Sequence, residues 1–117
     1  MDKTEKTITA AAAEDSQEES LVLKLSKPYH FEGVEYNEID LGGLEDTTGA
    51  DLTAVGRILT KIGVISPTPE MTLDFAQHMA ARVSGQKVEF FTGLSSRDSV
   101  KLKNLVTGFL YGGDGDN

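Results

Sequence analysis

Cysteine is absent from this 117-residue chain, and so are long apolar runs. Without cysteine the chain has no disulfide, no zinc–thiolate site and no thiol nucleophile, and its composition suits a reducing compartment. No apolar run approaches the ~20 residues that a membrane-spanning helix needs. The first residues, M-D-K-T-E-K-T-I-T, lack the continuous apolar stretch of a signal peptide. We therefore expect a soluble, cytosolic protein with no membrane contact.

A basic stripe of the kind that binds nucleic acid is also missing. The net charge is −8, of which residues 1–20 contribute −4, residues 21–51 contribute −5 and residues 52–111 contribute +3. The acidic tails favour solubility. The contrast between the two internal segments fits an ordinary solvated surface, or a surface that orients self-association or a partner. We expect no nucleic-acid partner.

Signatures of catalysis and of metal binding are missing as well. His30 and His78 have no carboxylate or second histidine at the spacing of metal ligands. Ser95 lies outside a G-x-S-x-G setting, and helix capping explains it better. Four acids, Asp40, Glu45, Asp46 and Asp51, lie close in sequence but do not match a calcium-binding loop, which favours a solvated connector. We expect no enzyme activity, no metal and no cofactor.

The apolar pattern divides the chain into three parts. Residues 1–20 hold almost no large apolar side chain and predict a disordered acidic tail, because they cannot offset the entropy of ordering. Residues 21–111 keep a sustained apolar pattern and predict one domain with a modest core. Residues 112–117 predict a flexible, glycine-rich acidic tail.

A β-hairpin is predicted at the start of the domain. Apolar residues alternate along 21–31, and Glu32 with Gly33 forms a plausible two-residue turn. The apolar phase changes before Ile39, which predicts a β-bulge near Asn37 and Glu38, because a slip of one residue exchanges the faces of a strand. An isolated hairpin is barely stable in water, so apolar helices must cover it.

Helical periodicity and capping signals predict three or four helices after the hairpin. The predicted starts and ends are Thr48 to Gly63, Thr68–Pro69 to Gly85, Val88 to Phe91, and Ser95 to Gly112. The order of elements predicts an α+β fold in which a two-stranded antiparallel hairpin packs on three to four α-helices.

The pattern predicts that the helical segments hold more large apolar side chains than one small core can bury. Phe75 lies off the apolar stripe of its helix, and adjacent phenylalanines at 90 and 91 point in different directions. Surplus apolar surface is typical of a partner site or an oligomer contact, and a second buried face between helices is the alternative. The candidate partner-binding residues are Phe75, Met79, Phe90, Phe91, Phe109 and Tyr111.

Four short motifs connect the sequence to a known family. They are S-K-P at 26–28, F-x-G-x-x-Y at 31–36, T-G-A-D-L at 48–52 and G-F-L at 108–110. In their order and spacing they resemble the small tail assembly chaperones of contractile-tailed phages, of the Mu-like and P2-like kinds. The resemblance does not extend to residues 1–20.

The resemblance implies a non-enzymatic chaperone that is made in the cytoplasm of the bacterial host and is absent from the mature virion. Its implied partner is the tape measure protein, which the family is thought to coat and keep soluble until the tail tube protein polymerises around it. The tail tube protein and a second copy of the chain are further expected partners. Many family members also have a longer form made by frameshifting. A structural tail or baseplate subunit and a small regulatory protein-binding module remain alternatives.

Overall fold

Two antiparallel strands open the domain and four α-helices follow them in the computed structural model, which describes residues 21–112. Short 3₁₀ turns occupy Gly42–Asp46 and Pro69–Met71. The strands and helices are β1 (Val22–Phe31), β2 (Val34–Asp40), α1 (Gly49–Lys61), α2 (Leu73–Ser84), α3 (Val88–Thr92) and α4 (Ser96–Gly112). The predicted α+β fold, with a hairpin packed on three to four helices, is confirmed. The predicted tails were residues 1–20 and 112–117; Gly112 is instead the last residue of α4, and the rest of both tails lies outside the described residues.

The hairpin turn forms at the two predicted residues. Glu32 and Gly33 both have positive φ angles, 51° and 84°, as the favoured two-residue hairpin turn requires. Gly33 adopts such an angle without a steric cost, and Glu32 is the only non-glycine residue of the described chain that does so. The Nζ atom of Lys87 lies 2.7 Å from the Glu32 carboxylate, which ties the turn to the segment before α3.

The predicted register break is present, but its extra residues lie on the first strand. From the turn, the two strands pair as far as Tyr29 with Tyr36. Pairing then resumes where Lys24 lies opposite Glu38. Four residues of β1 therefore stand opposite one residue of β2, Asn37. The apolar phase of β2 changes at this level, as expected, but the inserted residues are not at 37–38.

The last helix supplies the hydrogen-bond partners that the ladder lacks at this break. Pro28 has no N–H to donate, so β1 cannot continue its ladder there. The N–H of Ser26 donates instead to the carboxylate of Asp98 in α4 at 2.9 Å, and its hydroxyl donates to the same carboxylate at 3.2 Å. Lys101 donates to the carbonyl oxygen of Lys24 at 2.6 Å. Side chains of α4 thus satisfy backbone groups along β1.

Local capping fixes the start of α1 and moves the start of α2. The N–H of Thr48 donates to Asp51 at 2.8 Å, and the predicted capping box is present. The prediction that the second helix begins at Thr68–Pro69 is wrong, because Pro69 starts a separate 3₁₀ turn. Thr72 is extended and its hydroxyl accepts the N–H of Phe75 at 3.1 Å, so α2 begins at Leu73.

The remaining helix ends agree closely with the prediction. Gly63 and Gly85 have φ angles of +87° and +80°, a conformation that commonly ends helices. Ser95 caps α4 by accepting the N–H of Asp98 at 3.2 Å, as predicted. The Asp98 carboxylate does not complete this capping box, because it accepts from Ser26 instead.

The core lies between the hairpin and helices α2, α3 and α4. The ring of Phe90 is at its centre, with ring-centroid distances of 4.8–5.1 Å to Tyr29, Phe31, Tyr36 and Phe91. The hydroxyl of Tyr29 donates to the carbonyl oxygen of Phe90 at 2.8 Å, and burial raises the pKa of this tyrosine. Other buried core residues include Leu23, Ile39, Leu41, Leu44, Met79, Leu102 and Val106.

Helix α1 packs mainly on α2 and on the 3₁₀ turn at Pro69–Met71. It inserts Val55 and Leu59, which are fully buried, between the apolar residues of its neighbours. Because α1 has contact on one side only, the apolar residues at both margins of its buried stripe remain exposed to solvent.

Candidate protein-binding surface

Four of the six predicted partner-binding residues belong to the core. Phe75, Met79, Phe90 and Phe91 are each at most 2% exposed. The premise that one core could not hold them is wrong, because α3 is short and lies between α2 and the hairpin. Its two adjacent phenylalanines are therefore buried together, while Glu89 and Thr92 of the same helix are exposed.

The other two predicted residues lie at the end of α4. Phe109 is half-buried and packs against the core. Tyr111 is 52% exposed and is the one candidate whose side chain offers substantial apolar surface to a partner. Most of the other exposed large apolar side chains of the described chain lie on α1 and in the segments beside it, where the sequence did not suggest a binding surface.

An apolar groove of about 290 Å³ runs beside α1. Its walls come from α1, the 3₁₀ turn at Pro69–Met71, the start of α2 and the last turn of α4. The lining residues are Leu52, Gly56, Pro69, Glu70, Phe75, Leu110 and Tyr111. We call this surface the apolar groove. The two leucines in the lining, Leu52 and Leu110, come from the T-G-A-D-L and G-F-L motifs, so segments far apart in sequence meet here.

A hydrogen bond joins two walls of the apolar groove. The hydroxyl of Tyr111 donates to the carboxylate of Glu70, connecting the end of α4 to the 3₁₀ turn. This bond lowers the pKa of Glu70 and raises the pKa of Tyr111, since it stabilises the ionised carboxylate and the protonated phenol. Glu70 is the one charged residue in the lining, so the groove carries a negative charge among apolar surfaces.

Gly56 leaves the α1 wall open. A Cβ atom placed on it would meet no atom within 4 Å, apart from its own helix backbone and sequence neighbours. Its φ angle is not positive, so the backbone does not require glycine. Glycine in the middle of a helix costs up to about 1 kcal/mol relative to alanine. Gly56 therefore provides a place where another backbone can approach α1 closely.

A second apolar surface lies on the opposite margin of α1. Ile58 lies in α1 and Ile62 directly follows its last residue, so the two are neighbours at the end of the helix, and they are 38% and 56% exposed. We call this pair the isoleucine edge. Lys61 and Arg57 are exposed on the same helix, on the far side of Ile58 from the buried stripe. The isoleucine edge is thus an apolar stripe flanked by positive charge.

Two of the four residues of the predicted acidic cluster, Asp40 and Asp51, accept hydrogen bonds from other groups of the chain. Asp40 accepts the N–H of Gly42 at 2.8 Å. Asp51 accepts from the Nε of Arg82 at 2.7 Å, and the pKa of Asp51 is lowered by this bond first and by the backbone N–H of Thr48 second. Among residues 21–112, no group of three or more histidine, aspartate or glutamate side chains is placed to hold a metal ion. In the same range, no helix is both long and apolar enough to span a membrane.

Comparison with known proteins decides the family. The family model described as "Phage tail assembly chaperone proteins, E, or 41 or 14" matches residues 22–111, which include both strands and nearly all of the four helices. The chain belongs to this family. The suspected resemblance is confirmed, and membership indicates a phage tail assembly chaperone that acts through protein partners. No curated protein and no solved structure matches the chain.

Sequence reasoning missed most of the lining of the apolar groove. Leu52 and Leu110 appeared only as parts of motifs, and Pro69 only as a helix start. The sequence offers a partial signal in Gly56, because glycine is unfavourable inside a helix and can mark close approach of another backbone. No local pattern connects residues 52 and 110, which meet only in the folded chain.

Proposed function

We propose that this chain binds the tape measure protein in the host cytoplasm and keeps it soluble until the tail tube protein assembles around it. The family match over residues 22–111 carries the proposal, because chaperones of tail assembly require protein partners. The exposed apolar surface along α1 supplies a physical means, since patches of this kind commonly bind other proteins.

The small size of the apolar groove favours weak binding of the partner to each copy of the chaperone. Its volume of about 290 Å³ lies just below the ~300–1,000 Å³ typical of ligand pockets. An amphipathic helix fits such a groove by inserting a few apolar side chains. Many copies on one long partner then add their contributions through multivalency. Weak individual contacts also allow tube subunits to displace the chaperone.

Co-expression with the tape measure protein of the same phage tests this proposal. We expect the tape measure protein to stay in the soluble fraction with this chain, and to precipitate with an unrelated acidic protein of similar size. The two soluble fractions are compared after centrifugation. Equal solubility in both cultures would contradict the proposed function.

The composition of purified particles tests the transient role. A chaperone displaced by tube subunits is expected to be missing from mature virions, and mass spectrometry measures its ratio to the tube protein. A fixed stoichiometric amount in the particle would instead identify a structural tail or baseplate subunit.

A further inference from the structure

We propose that residues 6–13 of this chain, K-T-I-T-A-A-A-A, dock in the apolar groove of the same molecule. These residues lie outside the part of the chain that the structure describes, but their composition and the position of Leu21 both relate them to the groove. The contact is internal to one chain, so it goes beyond the proposed function and does not rest on it.

The chain before Leu21 leaves the domain on the side where α4 runs towards the groove. The N–H of Ser26 donates to Asp98 at 2.9 Å. Nearer the start of β1, the carbonyl oxygen of Lys24 accepts from Lys101, further along α4, at 2.6 Å. The strand and the helix therefore run in opposite directions. Beyond this second contact, β1 extends back about 10 Å to its start, and α4 continues about 15 Å to its last turn, which is a wall of the groove.

Residues 14–20 are long enough to carry the segment from Leu21 to the groove. These seven residues span at most about 25 Å, which exceeds the ~15 Å of α4 beyond Lys101. They hold four acids and no basic residue, whereas residues 52–111, which supply every lining residue of the groove, contribute +3 to the net charge. Attraction between these charges keeps the connecting residues near the domain and raises the local concentration of the segment at the groove.

Ile8 and the four alanines that follow it provide apolar surface of a suitable size. Apart from Met1, Ile8 is the only large apolar residue among residues 1–20. A groove of about 290 Å³ accommodates few side chains, so one isoleucine flanked by small residues fits it. Each alanine adds only a methyl group, which allows the backbone of the segment to approach α1 closely at Gly56, where no side chain stands.

Lys6 provides the charge that the groove requires. Glu70 is the charged residue of the lining, and covering it with a purely apolar surface would separate a carboxylate from water at a large cost. Lys6 lies two residues before Ile8, so its ammonium group can pair with Glu70 while the isoleucine occupies the groove. Tyr111 donates one hydrogen bond to this carboxylate, which can accept further bonds.

Docking of this segment should be reversible. Ordering eight residues costs conformational entropy, which one isoleucine and one ion pair offset with little surplus. The docked segment would shield apolar surface from non-specific contacts, and a partner helix with several large apolar side chains would displace it. The apparent affinity of that partner would be reduced to the extent that the groove is covered.

Spin labelling of the full chain tests the proposal, and the absence of cysteine allows a label at a single introduced site. A nitroxide on Thr4→Cys lies close to the segment without interrupting it. It should broaden the NMR signals of the amides of Gly56 and Leu110 in the groove. The amide of Gly33, at the other end of β1 from Leu21, should be unaffected. Absence of broadening at the groove would overturn the proposal.

Two variants of the labelled chain identify the contact. Ile8→Asp removes the apolar side chain without altering the described domain, and it should lower the ratio of docked to free segment about tenfold. Gly56→Leu fills the groove from its α1 wall and should have a similar effect. Ser16→Asp is the matched control, because it adds the same charge outside the segment. Equal effects of Ile8→Asp and Ser16→Asp would overturn the proposal, and circular dichroism establishes that Gly56→Leu is folded.

A mixed sample distinguishes docking within one chain from docking between copies. One chain carries the nitroxide and no isotope, and the other carries the isotope and no nitroxide. The mixture should show no broadening at the groove. Broadening as strong as in the singly labelled chain would instead identify the segment of a second copy as the occupant. No partner protein is present in these samples, so a negative result would leave the proposed function standing.

A charge exchange tests the ion pair. Lys6→Glu and Glu70→Lys should each lower the ratio of docked to free segment several-fold, and a chain with both changes should recover it, because the opposite charges are restored with their positions exchanged. Lys3→Glu is the control, since it makes the same change of charge outside the segment. Equal effects of Lys3→Glu and Lys6→Glu would contradict a specific contact with Glu70.

Discussion

The centroids of four aromatic rings lie 4.8–5.1 Å from that of Phe90, so this residue is closely surrounded. A Cβ atom on Gly56, by contrast, would meet nothing within 4 Å beyond its own helix backbone and sequence neighbours. These positions represent two regions of one small domain. The hairpin region, with α3 and α4, is closely packed and cross-linked by hydrogen bonds between residues distant in sequence. Helix α1 packs mainly on α2 and on the 3₁₀ turn at Pro69–Met71, and both margins of its buried stripe remain exposed.

The difference indicates a division of roles within the domain. The hairpin region packs its aromatic residues around Phe90, so it contributes stability, and it also exposes Val34 and Val100. The α1 region contributes fewer buried residues, chiefly Val55 and Leu59, and carries both the apolar groove and the isoleucine edge. A chaperone needs a stable support and an accessible apolar surface, and here they occupy different parts of the fold.

The largest effect should follow from removing the central ring of the hairpin region. Phe90→Ala is expected to lower the free energy of unfolding by about 3–5 kcal/mol, because it deletes a fully buried aromatic side chain and leaves a cavity. Urea denaturation measures the change. Val34→Ala, at a hairpin residue that is 50% exposed, is the control and should have little effect. Similar losses for both would remove the contrast between the regions.

A smaller effect is expected where α4 meets β1. Asp98→Ala should lower the free energy of unfolding by about 1–3 kcal/mol, because the N–H of Ser26 loses its acceptor. Amide hydrogen exchange at Ser26 should accelerate in the variant. Asp46→Ala removes an exposed carboxylate and serves as the control. Unchanged exchange at Ser26 would show that the contact with α4 does not protect β1.

Substitutions at two glycines, one from each region, should have effects of opposite sign, and the gain at Gly56 should be the smallest effect of all. Gly56→Ala is expected to raise the free energy of unfolding by about 0.5–1 kcal/mol, because alanine favours the helix and meets no obstacle. Gly93→Ala should lower it by about 1–3 kcal/mol, because the new Cβ would stand 2.6 Å from the hydroxyl of Tyr29. Thermal unfolding compares the two. A gain at both sites would mean that Tyr29 moves aside easily.

Local features of the fold could be predicted from the sequence because their causes are local. The turn at Glu32 and Gly33, the capping box at Thr48 and the helix end at Gly85 each depend on residues within a few positions. The start of α2 was misplaced, because Thr68 with Pro69 and the later Thr72 both provide plausible starts. Only the backbone conformation distinguishes them.

Features that depend on distant residues could not be predicted. The extra residues of the register break lie on β1, where Ser26 bonds to Asp98 from 72 positions away. The burial of Phe90 and Phe91 depends on how α3 fits between α2 and the hairpin, which periodicity does not reveal. The apolar groove likewise joins residues 52 and 110.

The bond between Ser26 and Asp98 also has a consequence for folding of the chain during its synthesis. The first strand appears 72 residues before the helix that caps its backbone, a delay of about 4–14 s at ordinary rates of translation. During this interval the nascent hairpin has no partner for those groups. The domain can close only when its final helix has emerged, so a transcript cut short before α4 should yield a product that proteases degrade readily.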